Sequence, residues 1–114
     1  RRDTNKKEIV KIKFLNKKID LILEDIHKNL YVRSEKLLKN SIVEVKTWDK
    51  FLKAIKDKKM VLAPFCGEVS CEDWIKDKSG GASSRGIPEQ REIKEKCVYC
   101  SKPAKYKVYF AKSY

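Results

Sequence analysis

Four residues of this chain have the type and spacing to do chemistry together: Cys66 and Cys71 in Ala-Pro-Phe-Cys-Gly-Glu-Val-Ser-Cys, and Cys97 and Cys100 in Lys-Cys-Val-Tyr-Cys-Ser-Lys-Pro. They are all the cysteines the chain has, and their order is C-x4-C, x25, C-x2-C. Two close pairs separated by a longer insert suit one tetrahedral metal site. Zinc takes four thiolates at roughly 2.3 Å, so each pair must bring two sulfurs to one point, and a short spacer folded as a tight knuckle does that. With cysteine in all four positions no coordination site stays open for water, so the expected role is structural rather than catalytic.

Two other chemistries compete for the same residues. Lys96 and Lys102 flank Cys97-Val98-Tyr99-Cys100 and would lower a thiolate pKa, as a redox dithiol requires. A thioredoxin-like dithiol opens a helix, however, whereas Pro103 and an alternating segment follow here. A pair of disulfides is the third reading; in a reducing compartment four paired cysteines favour metal.

The remaining candidates are weaker. His27 is the only histidine and has no partners for a triad or a second metal site. Gly80-Gly81 lacks the Gly-Lys-Ser/Thr run of a phosphate-cradling loop. Trp48 and Trp74 read as core or rim anchors, because no basic and aromatic interleaving surrounds them. Glu68, Glu72 and Asp73 cluster near the first cysteine pair, the last two with a helix-start role. No nucleophile and base stand together, so by its own residues the chain is not a complete enzyme.

The elements that must position the cysteines follow from periodicity. Residues 1 to 10 read as a strand end and a turn. From about Lys11 to Lys39, Leu15, Ile19, Ile22, Leu23, Ile26, Leu30, Leu37 and Leu38 step by three and four, which predicts a long helix with one buried face. Glu24 with Lys28 and Glu35 with Lys39 are acid-before-base pairs for its wet side. Ile42, Val43 and Val45 predict a short strand, and Thr47 an N-cap for a helix from Trp48 to about Lys58. Lys59 to Ala63 is a nearly continuous apolar strand closed by Pro64, expected in a central, two-sided position. Strand, helix and strand in that order imply a parallel crossover. Ser70-Cys71-Glu72-Asp73 resembles a capping box that opens a short helix. Residues 79 to 84 read as a flexible loop, 84 to 88 as a strand stopped by Pro88, and the charged segment 89 to 96 as a bridge to the second knuckle. Ala104 to Ala111 alternates as a half-buried strand. The fold class is therefore α+β: a long N-terminal helix, then a two-layer β-α-β-α-β-β domain with a mixed sheet.

Composition bounds the function. At 114 residues there is little core to spare, and a structural metal is a common remedy. The net charge of +12 and pI near 9.6 invite a nucleic-acid reading. Only five of the cations are arginines, and many lysines lie among acids, as in Glu92-Ile93-Lys94-Glu95-Lys96. An autonomous zinc-ribbon-like nucleic-acid-binding module is nevertheless the rival function. No apolar run approaches the roughly 18 residues needed to span a bilayer, and no signal-type segment follows the N-terminus. The chain reads as an internal or C-terminal fragment of an intracellular protein.

One family likeness is carried by specific residues. Val61 to Lys76, Gly81-Ala82 with Ile87-Pro88, Lys96 to Cys100, Lys102 to Tyr106 and Ala111 to Tyr114 resemble the C-terminal zinc-binding domain of prolyl-tRNA synthetases of the archaeal and eukaryotic type. Arg1-Arg2-Asp3-Thr4 resembles the closing strand of that enzyme's anticodon-binding domain, and Leu30 to Ser34 its connecting helix. Gly86 departs from the family, in which several members have a larger residue there. The resemblance implies three segments: 1–10, the end of the anticodon-binding domain; 11–40, the connecting helix; and 41–114, the zinc-binding domain. It implies that Cys66, Cys71, Cys97 and Cys100 hold a structural zinc ion, and that Tyr114 makes an interdomain contact. It further implies a parent class II ligase that joins proline to tRNA using ATP and Mg²⁺ bound outside this chain. That parent would be a cytoplasmic homodimer, with its catalytic and anticodon-binding domains as this chain's partners.

Overall fold

The stepping apolar residues of the first third do form a helix, and the alternating ones of the last third do form a strand. The structure, a computed structural model, describes residues 1–88 and 93–113. The chain divides into two units, Arg1–Asn40 and Ser41–Tyr114.

In the first unit a turn at residues 2–4 leads through a single 3-10 turn, Ile12–Phe14, into helix α1, Leu15–Ser41. The expected strand end at residues 1 to 10 does not form; a strand needs a partner to bond, and no described strand pairs with this segment. Side-chain bonds hold the segment instead. The Arg1 guanidinium donates to Asp3 (2.8 and 3.1 Å) and to Asp25 of α1 (2.6 Å), and Asn29 donates to Asp3 at 3.1 Å. The Arg1 guanidinium holds the Asp3 carboxyl well below the usual carboxylate range. Of the two predicted helix pairs, Glu35–Lys39 closes at 2.8 Å, whereas Glu24 and Lys28 make no such bond. The apolar stripe is present but uncovered. No residue of α1 is buried, exposure along the stripe runs from 41% at Leu15 to 69% at Leu37, and only Ile22 and Ile26 are partly covered. His27 is exposed. The apolar period of a helix predicts which face can be covered, and among the described residues that face is partly covered only at Ile22 and Ile26.

In the second unit β1 (Ile42–Glu44), α2 (Trp48–Lys56) and β2 (Met60–Phe65) form the predicted parallel crossover, with Ile42 opposite Met60 and Glu44 opposite Leu62. Helix α3 (Val69–Lys78), β3 (Ala82–Gly86) and β4 (Tyr106–Lys112) complete a mixed sheet of order β1-β2-β4-β3, in which β4 is antiparallel to both neighbours. Directly opposed residues share a face, so Val61 with Phe110, Ala63 with Val108 and Phe65 with Tyr106 line one side of the sheet. Phe51, Ala54 and Ile55 of α2 and Ile75 of α3 close over that side in one core. Phe51 is its centre: fully buried, stacked on Trp48 at 5.1 Å and edge-on to Phe110 at 5.4 Å. Strand β2 is central as expected, but Leu62 on its other face is only partly buried, so burial is one-sided along most of its length.

Both helices end in the same way. In α3 the amide of Gly80 bonds the carbonyl of Asp77 (3.2 Å) and that of Gly81 bonds Lys76 (2.8 Å), with Gly80 at φ +70°. In α2, Lys58 bonds Ile55 (3.1 Å) and Lys59 bonds Ala54 (3.0 Å), with Lys58 at φ +58°. These are Schellman closures, whose left-handed position glycine fills at little conformational expense and lysine does not. Two cap expectations are corrected. Thr47 does stand at the N-cap of α2 in extended conformation, but its side chain makes no cap bond. The N-cap of α3 is Glu68, not Ser70, which lies within the first turn, and Trp74 is therefore mid-helix, 52% exposed beneath the Lys78 ammonium. Residues 82 to 84, expected as loop, belong to β3: pairing with β4 and a bonded edge override the weak strand propensity of Ala-Ser-Ser.

Candidate metal centre

The two cysteine pairs are carried by the neighbouring strands β2 and β4. Cys66 follows directly on β2, and the chain turns through Gly67 at φ +82° so that Cys71 comes back in the first turns of α3. The amides of Cys71 and Glu72 both bond the Glu68 carbonyl at 3.1 Å, which fixes the knuckle's return. There is no room for a side chain at Gly67: a Cβ there would lie 2.8 Å from the Tyr106 hydroxyl oxygen and 3.3 Å from its ring carbon Cζ.

The second knuckle is a hairpin tip before β4. Cys97 donates its amide to the Lys102 carbonyl at 2.8 Å, Ser101 donates to Cys97 at 3.2 Å, and Ser101 takes φ +59°. Lys96 and Pro103 bridge below them, and Ala104 donates to Glu95 at 3.0 Å. Two backbone bonds then fasten this knuckle to β2: Val98 to the Pro64 carbonyl and Lys105 to that of Phe65, both 2.9 Å. Pro64 lies inside β2 rather than closing it. A residue's N–H and C=O leave a strand on the same side, so the side from which the Pro64 carbonyl meets Val98 is also where its missing donor would have pointed. Strand β1 has already ended there, opposite Leu62, so no ladder bond is forfeited.

The result is a cluster of four sulfurs all within 4.8 Å of one another, from Cys66, Cys71 and Cys97, which are buried, and Cys100, which is half-buried. The Cys71 and Cys97 sulfurs are 3.8 Å apart. Four sulfurs around one zinc at roughly 2.3 Å would stand about 3.8 Å apart along each edge of the tetrahedron, whereas a disulfide needs about 2.05 Å. The four thiols are free of disulfides, and the donor set is all sulfur, so the site fits a closed, thiophilic divalent ion.

The electrostatics agree with a site that needs a cation. Burial pushes the Cys66 thiol above its ordinary value and the Cys71 thiol far above it. Burial acts the same way on Cys97, but the amides of Cys100, Tyr99 and Cys66 point at its sulfur and bring its pKa down below the ordinary value. The lowering expected from Lys96 and Lys102 thus comes from backbone amides instead. Lys102 has another partner, Glu68, whose carboxylate it bonds at 2.9 and 3.0 Å, and which raises the lysine's pKa.

A second ionic group supports the hairpin from outside. Glu95, just ahead of the second knuckle, pairs with Lys46 at 2.7 Å and lies 3.6 Å from Lys107, which in turn bonds Glu44 of β1. The lysines hold the Glu95 carboxyl below its usual range, Lys46 foremost. Reading the sequence for chemistry overlooked Gly67, Tyr106 and the pairing of Glu68 with Lys102. The available signals were a glycine immediately after a knuckle cysteine and opposite charges just inside one pair and just outside the other. Tyr114 and the bridging residues 89–92 lie outside the described residues.

Comparison with known proteins gives one result at every level. The family model described as "Prolyl-tRNA synthetase, C-terminal" matches residues 48–114. The proline–tRNA ligase of Nanoarchaeum equitans (strain Kin4-M) is 40% identical over 117 aligned residues, covering all of this chain and 21% of that protein. Proline–tRNA ligase 2 of Bacillus thuringiensis (strain Al Hakam) is 35% identical over 116, covering all of this chain and 24% of that protein. The crystal structure of Cryptosporidium parvum prolyl-tRNA synthetase complexed with halofuginone and AMPPNP superposes with a TM-score of 0.86 at 35% identity, over 99% of this chain and 24% of that one. The chain spans between a fifth and a quarter of the length of these relatives.

Proposed function

This chain belongs to the prolyl-tRNA synthetase C-terminal family, and on that premise we propose that it is the structural zinc domain of a ligase that attaches proline to tRNA at the expense of ATP. The observation that carries the reading is that the family match over residues 48–114 contains all four cysteines of the sulfur cluster. In this reading Cys66, Cys71, Cys97 and Cys100 are the zinc ligands. The ion supplies charge and a rigid four-way junction that the small core of the second unit lacks, and no reaction step runs through it. Proline, ATP and Mg²⁺ bind elsewhere in the parent enzyme, a cytoplasmic homodimer.

The segments then divide the work. Residues 1–10 end the anticodon-binding domain, 11–40 connect, and 41–114 form the zinc domain, which braces the catalytic and anticodon-binding domains through the connecting helix and the tail that ends in Tyr114. The uncovered stripe of α1 supports this division, since it offers apolar surface to neighbouring domains of the same enzyme.

Two measurements test the reading. Chain purified under reducing conditions is expected to carry close to one zinc; below about half an equivalent, with four free thiols and an intact fold, the structural site is wrong. A longer protein that contains this chain should charge tRNA with proline, and removal of its last few residues should slow charging while zinc content holds. Tight binding of RNA by the 114-residue chain alone, falling steeply with salt at about −0.7 in logarithmic slope per phosphate contact, would instead establish the autonomous nucleic-acid module.

A further inference from the structure

Glu68 and Lys102 sit on opposite knuckles and are joined to the cysteines in the same manner. The Glu68 carbonyl accepts the Cys71 amide at 3.1 Å, and the Lys102 carbonyl accepts the Cys97 amide at 2.8 Å. Their side chains then meet across the site, the Lys102 ammonium donating to both carboxylate oxygens of Glu68 at 3.0 and 2.9 Å. Glu68 occupies the N-cap of α3, where a carboxylate can accept from first-turn amides, yet it makes no cap bond. Its charge is committed to the other knuckle. Four thiolates around a divalent ion leave two negative charges, and Lys102 brings a cation to the knuckle that carries Cys97 and Cys100.

Within each knuckle short local bonds lock the cysteines: Cys71 to Glu68, and Ser101 to Cys97. Different ties run between the knuckles. They are the backbone bonds of Val98 and Lys105 to β2, the Cys66 amide aimed at the Cys97 sulfur, and, among the described residues, the one ion pair Glu68–Lys102. Parting of the knuckles is a route by which a sulfur can leave the cluster, and the Glu68–Lys102 ion pair stands across it. We propose that Glu68 and Lys102 form a latch across the two knuckles that slows escape of the bound metal ion. The proposal rests on the metal-site reading above and assigns these two residues a positioning role outside the ligand set. Both side chains are about half exposed, so solvent screens the pair and its effect is a few-fold in rate.

The test follows transfer of zinc from the native, zinc-loaded chain to an excess of a chromophoric chelator. Lys102→Met and Glu68→Gln should each speed release about two- to five-fold, and the double variant should be no faster than either single one. Lys102→Arg, which keeps the charge, should release near the wild-type rate, and so should Lys50→Met on the outer face of α2. In about 1 M salt the single variants and the wild type should converge. Wild-type rates in both single variants, multiplied effects in the double, or equal acceleration in Lys50→Met would each overturn the latch. A wild-type chain that carries no zinc would overturn the metal reading itself, a result distinguishable from the others before any rate is measured.

Discussion

Gly67→Ala is the perturbation for which the structure sets the largest and most separable consequence. Two effects act at this position. The backbone is at φ +82°, where an L side chain costs about 1 to 2 kcal/mol. The added Cβ would also lie 2.8 Å from the Tyr106 hydroxyl oxygen and 3.3 Å from Cζ, closer than packed atoms approach. Tyr106 is not a flexible tip that can swing aside, because its ring is half-buried against Phe65, 6.3 Å between centroids. Overpacking of this kind costs about 1 to 3 kcal/mol, so the variant should lose about 2 to 5 kcal/mol in all. The two parts can be separated with Tyr106→Phe, since the hydroxyl makes no hydrogen bond among the described residues and its removal alone should shift stability by no more than about 0.5 kcal/mol. In the double variant the closest contact is gone while the ring carbon stays 3.3 Å away, so stability should recover part of the loss, toward the backbone share of about 1 to 2 kcal/mol. Urea unfolding of the zinc-loaded chain measures all four proteins at fixed free zinc. A Gly67→Ala variant as stable as wild type, or a double variant no better than the single, would refute this account of the first knuckle.

Other outcomes follow from the same structure. Cys97→Ser should abolish stoichiometric zinc binding and loosen the second unit as chelation does, read by metal content and circular dichroism together. Lys58→Gly should raise stability by about 0.5 to 1 kcal/mol at unchanged urea dependence, because relief of left-handed strain exceeds the chain entropy that glycine adds. Glu95→Gln should lower stability at neutral pH. The folded pKa of Glu95 is depressed below 4.5, so its contribution is fully present above that value and is lost as pH falls through the depressed one. Thermal unfolding of wild type and Glu95→Gln from pH 7 downward should therefore show a constant separation to about pH 5 and then convergence.

Much of the site could be read from the residues because its logic is local. A cysteine spacing states which sulfurs can share a point, and the structure brings those four together. The periodicities of α1, α2 and β4 and the apolar run of β2 were likewise legible, since 3.6- and two-residue repeats and unbroken apolar runs survive in sequence whatever the surroundings. What escaped depends on partners distant in the chain. Ala82-Ser83-Ser84 has little strand propensity and becomes β3 through its pairing with β4. Ser70-Cys71-Glu72-Asp73 has the letters of a capping box, but the turn at Gly67 starts the helix earlier, at Val69. Pro64 looked like a stop and is a strand residue, because β1 ends before it and Val98 takes its carbonyl. The apolar stripe of α1 was recognised correctly as a stripe, but burial also requires a surface to lie against it.

The placement of the knuckles at the ends of β2 and β4 also bears on the order in which the domain can assemble. Phe65 must find Tyr106 across the whole of α3, β3 and the second knuckle, a long loop whose closure slows folding. Once the sulfurs of Cys66 and Cys100 share an ion, only the few residues from Cys100 to Tyr106 remain to be closed, and the central pair of strands can zip from the metal end. Metal captured before the sheet forms would turn the slowest, most distant pairing of this domain into something close to a hairpin, so zinc supply would govern how fast the domain folds as well as how firmly it stays folded.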